Sequence, residues 1–165
     1  MGWDLDAIRA MVGQQVAYSA PEPLGRAAIR YFAEAIGDDN PLYTDAAYAR
    51  AHGYDDVIAP PTLLMETNQY VPGRARDEAG YKGHQWDLPV TGCRQIRGGN
   101  SYEFAAPVHP DDVVTATWEI TSVDEKAGRD GRRMLLVGSQ ATFTRANGDL
   151  LAVDRETIIF QELSA

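Results

Sequence analysis

Cysteine is almost missing from this chain. One residue, Cys93, stands among 165, which excludes an internal disulfide framework and a zinc site built from cysteines within one chain. Histidine is scarce as well: His52, His84 and His109 are isolated from one another, with no pair at ligand spacing, so no metal is expected. Positive charge is in deficit, with 15 Lys and Arg against 24 Asp and Glu and a net charge of −9. Nucleic acid and anionic membrane surfaces both need a positive footprint, so neither is expected as a partner. No apolar run approaches the roughly 20 residues that span a bilayer, because Asp, Arg, Gly or Pro interrupts each one within a few positions. No succession of basic, apolar and small residues opens the sequence as a secretory signal would, and the expected compartment is the cytoplasm. Gly98-Gly99 stands without the rest of a phosphate-loop fingerprint, and neither Ser101 nor Ser139 lies in a strained nucleophile elbow. No cofactor is therefore expected.

With 44% apolar and 24% charged residues, the chain suits a single globular domain that buries a sizeable core. Leu5, Ile8 and Val12 fall on one face of a short helix over Leu5 to Val12, followed by Gly13 and an extended entry segment marked by Pro21 and Pro23. Ile29, Phe32, Ala33 and Ile36 recur at helical spacing from Arg26 to Ile36, and Gly37 sits where a left-handed cap would end that helix. A helix over Asp45 to Ala51 has Asp45 as its N-cap or first-turn acid and Gly53 beyond its end. Another, Thr62 to Gln69, has Pro60 and Pro61 at its start, where missing N–H groups matter little.

From Pro72 to Gly99 no period is sustained, and the segment reads as a long functional loop carrying Arg74, Arg76, Lys82, Arg94 and Arg97. After it the period changes to two. Tyr102 and Phe104, then Val114, Ala116, Trp118 and Ile120, then Leu135, Val137, Ala141 and Phe143 alternate with polar neighbours, as in half-buried antiparallel strands. Arg129 to Arg133 reads as a solvated hairpin tip. Asn147-Gly148 reads as a hairpin turn into Leu150 to Val153, with Thr157 to Phe160 completing the strand run. Helices first and strands afterwards predict an α+β domain, with a helix covering one face of an antiparallel sheet.

The densest stretch is AIGDDNPLYTDAAYARAHGYDDVIAPPTLLM, Ala35 to Met65. A carboxylate at Asp38 follows a helix-ending glycine, and Pro41 stiffens the turn, so Asp38, Asn40 and Tyr43 have few conformations to choose from. Such a cluster suits a preorganised site. It also suits a plain turn: an acid after a helix end makes local backbone bonds, and Asn before Pro initiates turns. His52 reads as a surface residue able to cap its helix, and the arginines of the middle loop read first as a solvated basic loop balancing an acidic chain and second as contacts for a phosphate.

IGDDNPLYTD followed by DDVIAPPTLLM, with GGNSYEFAAPVHPDDVVTATWEI further on, resembles the MaoC-like hydratase/dehydratase family, in its branch of half-units that pair with a second MaoC-like domain. The resemblance covers most of the chain and implies a single hot-dog domain, residues 1–165, in which a long central helix is wrapped by an antiparallel sheet. It implies hydration of 2-enoyl thioesters, or dehydration of 3-hydroxyacyl thioesters, of coenzyme A or acyl carrier protein. The family supplies a carboxylate and a histidine five residues apart on the acidic turn. Here the carboxylate position is Asp38 and the histidine position is Tyr43, and a phenol titrates near pH 10, too high for easy proton shuttling at neutrality. The family draws its oxyanion donors from backbone N–H groups at the start of the central helix. Pro60 and Pro61 remove two of these, leaving Thr62 and Leu63 as the expected donors. Asn40, Pro60, Thr62, Leu63, Arg94 and Arg97 are the residues expected to hold the thioester, with Asp38 and Tyr43 nearest the chemistry.

The resemblance leads to one subunit of a two-component hydratase/dehydratase whose partner, a second MaoC-like subunit, carries the intact Asp/His pair. A homodimer that does its own chemistry through Asp38, such as a repurposed dehydratase or cyclase, is the alternative, as is a non-catalytic acyl-thioester binding protein.

Overall fold

The computed structural model describes residues 2–66, 75 and 83–163. A two-residue strand β1 (Gly2–Trp3) leads into helix α1 (Leu5–Arg9), whose N-cap Asp4 accepts hydrogen bonds from the Asp6 and Ala7 amides at 3.1 Å. This helix ends one turn earlier than its apolar spacing predicts, and Val12 lies 46% exposed beyond it while Ile8 is fully buried. Strand β2 (Gln15–Ser19) and helix α2 (Arg26–Ile36) follow. Helix α2 buries Ile29 and Ala33, ends on a left-handed Gly37 (φ 71°), and leaves Ile36 half exposed at its last turn. A 3-10 turn (Pro41–Tyr43) precedes α3 (Ala46–Ala51), which Asp45 caps through the Ala47 and Tyr48 amides at 2.8 and 3.0 Å. Helix α4 spans Leu63–Glu66, and the continuation predicted to Gln69 lies outside the described residues, as do Arg74, Arg76 and Lys82.

After a short strand β3 (Val90–Thr91), which pairs with β1, four long strands build the sheet: β4 (Cys93–Phe104), β5 (Val114–Ala127), β6 (Arg133–Arg145) and β7 (Leu150–Glu162). The order across the sheet is β2-β5-β6-β7-β4, antiparallel at every junction. The Asn147-Gly148 turn joins β6 to β7, with Asn147 Oδ1 accepting from the Asp149 amide at 3.0 Å. Residues 128–132 form the tip between β5 and β6, closed by the Gly128 amide on the Arg132 carbonyl at 2.8 Å. The middle segment is not loop to its end: β4 begins at Cys93, so Arg94 and Arg97 sit on a strand. The glycines and charges that hide its period also mark a bulge between Arg97 and Gly99. Gly98 is required there, since a Cβ would come within 2.9 Å of the Thr157 carbonyl.

Alternation along the strands sends Ala116, Trp118, Ala141, Phe143 and Ala152 into one core with Ile29 and Ala33 of α2 and Leu63 and Leu64 of α4. A second cluster, Ile8, Ile120, Val123, Leu135 and Val137, is covered by α1 and by Trp86, Leu88 and Val90. This is the predicted α+β arrangement, and no helix among the described residues is long and apolar enough to cross a membrane.

Candidate functional site

Asp38, Asn40 and Tyr43 are brought together by the end of α2 and the 3-10 turn. The Asp38 amide closes the helix on the Ala33 carbonyl at 2.9 Å, and Asp38 Oδ1 accepts the Asn40 amide at 3.1 Å. Asn40 Oδ1 then caps the 3-10 turn by accepting the Leu42 amide at 3.1 Å. Both side chains thus have local structural work, and both also act on Tyr43. The phenol is buried, and its pKa is raised above the ordinary value by loss of water, then by the negative charge of Asp38 and by Tyr54, against an opposing hydrogen bond from Asn40. At neutral pH it is a protonated hydroxyl, able to donate a hydrogen bond and unsuited to take and return a proton.

The turn is tied to the start of α4. The Ile58 amide donates to Leu42 at 3.0 Å, and the Ala59 amide to Val108 at 2.8 Å, so the strand-like approach Val57 to Pro60 is buried and fixed. One expectation is corrected here. The Leu63 amide is not open to an oxyanion, because it donates to the Pro60 carbonyl at 2.9 Å in a tight turn forced by the two prolines. The Thr62 carbonyl accepts the Met65 amide at 3.1 Å, while the Thr62 side chain is exposed. Leu63 instead turns its side chain to a cavity of about 440 Å³, shared with Tyr18, Leu24, Ala28 and Val114.

The two arginines of β4 part company. Arg94 donates through Nε and Nη2 to Gln161 Oε1 at 2.9 and 2.5 Å, a cross-strand structural pair. Arg97 lies on the opposite face and lines a second cavity of about 410 Å³ with His84, Trp86, Ser139, Glu156 and Phe160, among others. Beside it Asn100 Nδ2 donates to both carboxylate oxygens of Asp154 at 3.1 and 3.2 Å. Burial raises the pKa of Asp154, and burial together with the Asp154 charge raises that of Glu156, while Arg97 and Asn100 oppose both shifts.

This polar group went unread in the sequence. The available signal was register: in one continuous β7, Asp154 and Glu156 share the inward face with Ala152, Ile158 and Phe160, which is hidden when Leu150–Val153 and Thr157–Phe160 are taken as separate pieces. His84 lies outside the helices and strands, as expected, but it is buried there, with Nδ1 3.1 Å from the Tyr18 hydroxyl and its ring 4.8 Å from Trp118 and 4.4 Å from Trp86. Among the described residues no group of His, Cys, Asp and Glu is arranged to hold a metal ion.

Comparison with known proteins agrees with this architecture. The family described as the FAS1-like dehydratase domain region matches residues 10–153. A UPF0336 protein of Streptomyces coelicolor is 36% identical over 122 residues, covering 74% of this chain and 77% of that protein. The crystal structure of the ChsH1-ChsH2 complex from Mycobacterium tuberculosis superposes with a TM-score of 0.73 at 21% identity, covering 98% of this chain and 91% of that one. The HadBC (3R-hydroxyacyl-ACP dehydratase) complex from the same organism gives a TM-score of 0.65 at 24% identity, with 90% and 96% covered. The shared fold is the hot-dog domain.

Proposed function

Because this chain belongs to the family of FAS1-like dehydratase domain regions, we propose that it is one subunit of a two-component enoyl-thioester hydratase or 3-hydroxyacyl-thioester dehydratase. The observation that carries this reading is Tyr43, a buried phenol with its pKa pushed upward, at the position where the resemblance calls for a histidine. Water addition to an enoyl thioester needs a base for the water and an acid for the α-carbon. Asp38 alone fills one role at most, so the partner, a second MaoC-like subunit, brings the Asp/His pair. Two structural neighbours are themselves two-component complexes, which supports the same reading.

In this arrangement Tyr43 and Asn40 offer hydrogen-bond donors toward the thioester, Thr62 stands at the entry to α4, and Pro60 fixes that entry. Arg94 is engaged by Gln161, and Arg97 lines the cavity that also holds Glu156, so neither is assigned to the phosphates of the coenzyme A or acyl-carrier arm. The test is turnover of crotonyl and longer enoyl thioesters by the purified chain, alone and with a co-expressed MaoC-like subunit bearing an intact Asp/His turn. Activity is expected only in the mixture. Full turnover by the chain alone overturns the proposal, and an assembled enzyme indifferent to both Asp38→Asn and Tyr43→Phe removes these residues from the chemistry.

A further inference from the structure

Two cavities lie on the inner face of the sheet, and one pair of side chains stands between them. The first, about 440 Å³, is walled by Leu24, Ala28, Leu63 and Val114 and reaches Tyr18. The second, about 410 Å³, has His84 at one end and Val137, Ile158 and Phe160 along its floor. Tyr18 projects from β2 opposite Ala116, and its hydroxyl meets His84 Nδ1 at 3.1 Å. The imidazole is held on three sides. It stacks on Trp118 at 24°, takes Trp86 edge-on at 85°, and Trp86 is in turn fixed by its Nε1–H on Ser139 Oγ at 2.9 Å. A ring held this way cannot swing aside without breaking the hydrogen bond and losing both aromatic contacts.

We propose that Tyr18 and His84 form the end wall that sets how long an apolar chain this subunit accepts. A straight acyl chain enters past Leu63, lies against Leu24, Ala28 and Val114, and stops at the Tyr18–His84 pair. The first cavity suits a hydrocarbon. Of the acids among the described residues on its lining, Asp112 is already engaged by Arg145 at 2.7 Å, and Glu22 lies exposed. The second cavity, with Arg97 and Glu156 beyond the wall, is closed to the chain while the pair is intact. The inference takes from the proposed function only the identity of the head group.

The experiment is calorimetric titration of the full chain with straight-chain alkanoates of increasing length. Each buried methylene should tighten binding by about fourfold until the chain meets the wall, after which affinity stops rising. His84→Ala should carry the rise onward by about four methylenes, and Ala28→Leu, which fills the first cavity, should end it about two methylenes sooner. An unchanged break point in both variants, or no saturable binding of any alkanoate, overturns the proposal. If circular dichroism shows that His84→Ala does not fold, Ala28→Leu decides alone. Because turnover is not read, an enzyme assay that defeats the two-component reading leaves this result standing, and an absent wall leaves the enzyme reading standing.

Discussion

Arg145, the last residue of β6, anchors the connection before β5, and replacing it by Met tests how much of the fold that connection holds. Its Nε donates to Asp112 Oδ1 at 2.7 Å and its Nη2 to the Pro107 carbonyl at 2.5 Å. Asp112 Oδ2 accepts the His109 amide at 2.8 Å, and the Asp112 carbonyl accepts Leu24 at 3.0 Å, linking the loop to the entry of α2. The two side chains are only 21% and 10% exposed, so solvent screens the pair far less than it does a surface bridge. Arg145→Met leaves a partly buried carboxylate without its cation and a carbonyl without its donor. The expected loss is about 2–3 kcal/mol, between the value for a charged hydrogen bond and that for a broken buried pair. For a chain of this size that lowers the melting temperature by about 5–10 °C, measurable by circular dichroism. Asp112→Asn in the same background removes the stranded charge and should recover part of the loss. A single variant within about 0.5 kcal/mol of the parent, or a double variant no better than the single, refutes the reasoning.

Phe143 is fully buried between Ala116 and Ala152, whose small side chains leave the ring to fill the space, so Phe143→Ala should cost about 3–5 kcal/mol in urea unfolding. Glu156 has a folded-state pKa raised by burial and by Asp154, so the folded protein holds its proton where the unfolded chain has released it, and stability falls as pH rises from the ordinary carboxylate range through the raised value. Glu156→Gln should flatten that fall, with the gain over the parent largest at alkaline pH and gone in acid; an identical pH profile for the two proteins would contradict it.

The parts of the fold that could be read in the sequence were those where local chemistry and periodicity agree. Helix α2 with its Gly37 cap, Asp45 at the head of α3, the Asn147-Gly148 turn and the alternation of β5 and β6 all carry their signal within a few residues. The turn bearing Asp38, Asn40 and Tyr43 was legible for the same reason, since proline and the asparagine cap act over adjacent positions. Strand β4 was not. Its glycines, arginines and bulge erase the alternation, and its pairing with β7 is set by residues about sixty positions away. Arg94 and Arg97 could be named as basic, but only the register sends them to opposite faces, one spent on Gln161 and the other left to a cavity. The Leu63 amide was misassigned because a proline pair does more than delete donors: it bends the chain so that the next N–H turns back on the Pro60 carbonyl. The burial of His84 depends on Trp118 arriving from β5 to stack on its ring, while its near neighbour Trp86 packs edge-on beside it.

The irregularity of β4 has a consequence for the company the chain keeps. No strand among the described residues pairs with its outer side, so β4 forms one border of the sheet. Such a border ordinarily invites indiscriminate stacking of copies. Here a kink pinned by Gly98 and the charge of Arg97 spoil the match for any straight, greasy ribbon. Only a strand with a complementary offset can zip along the whole length, so the defect that obscures this segment also restricts which backbones can extend the sheet.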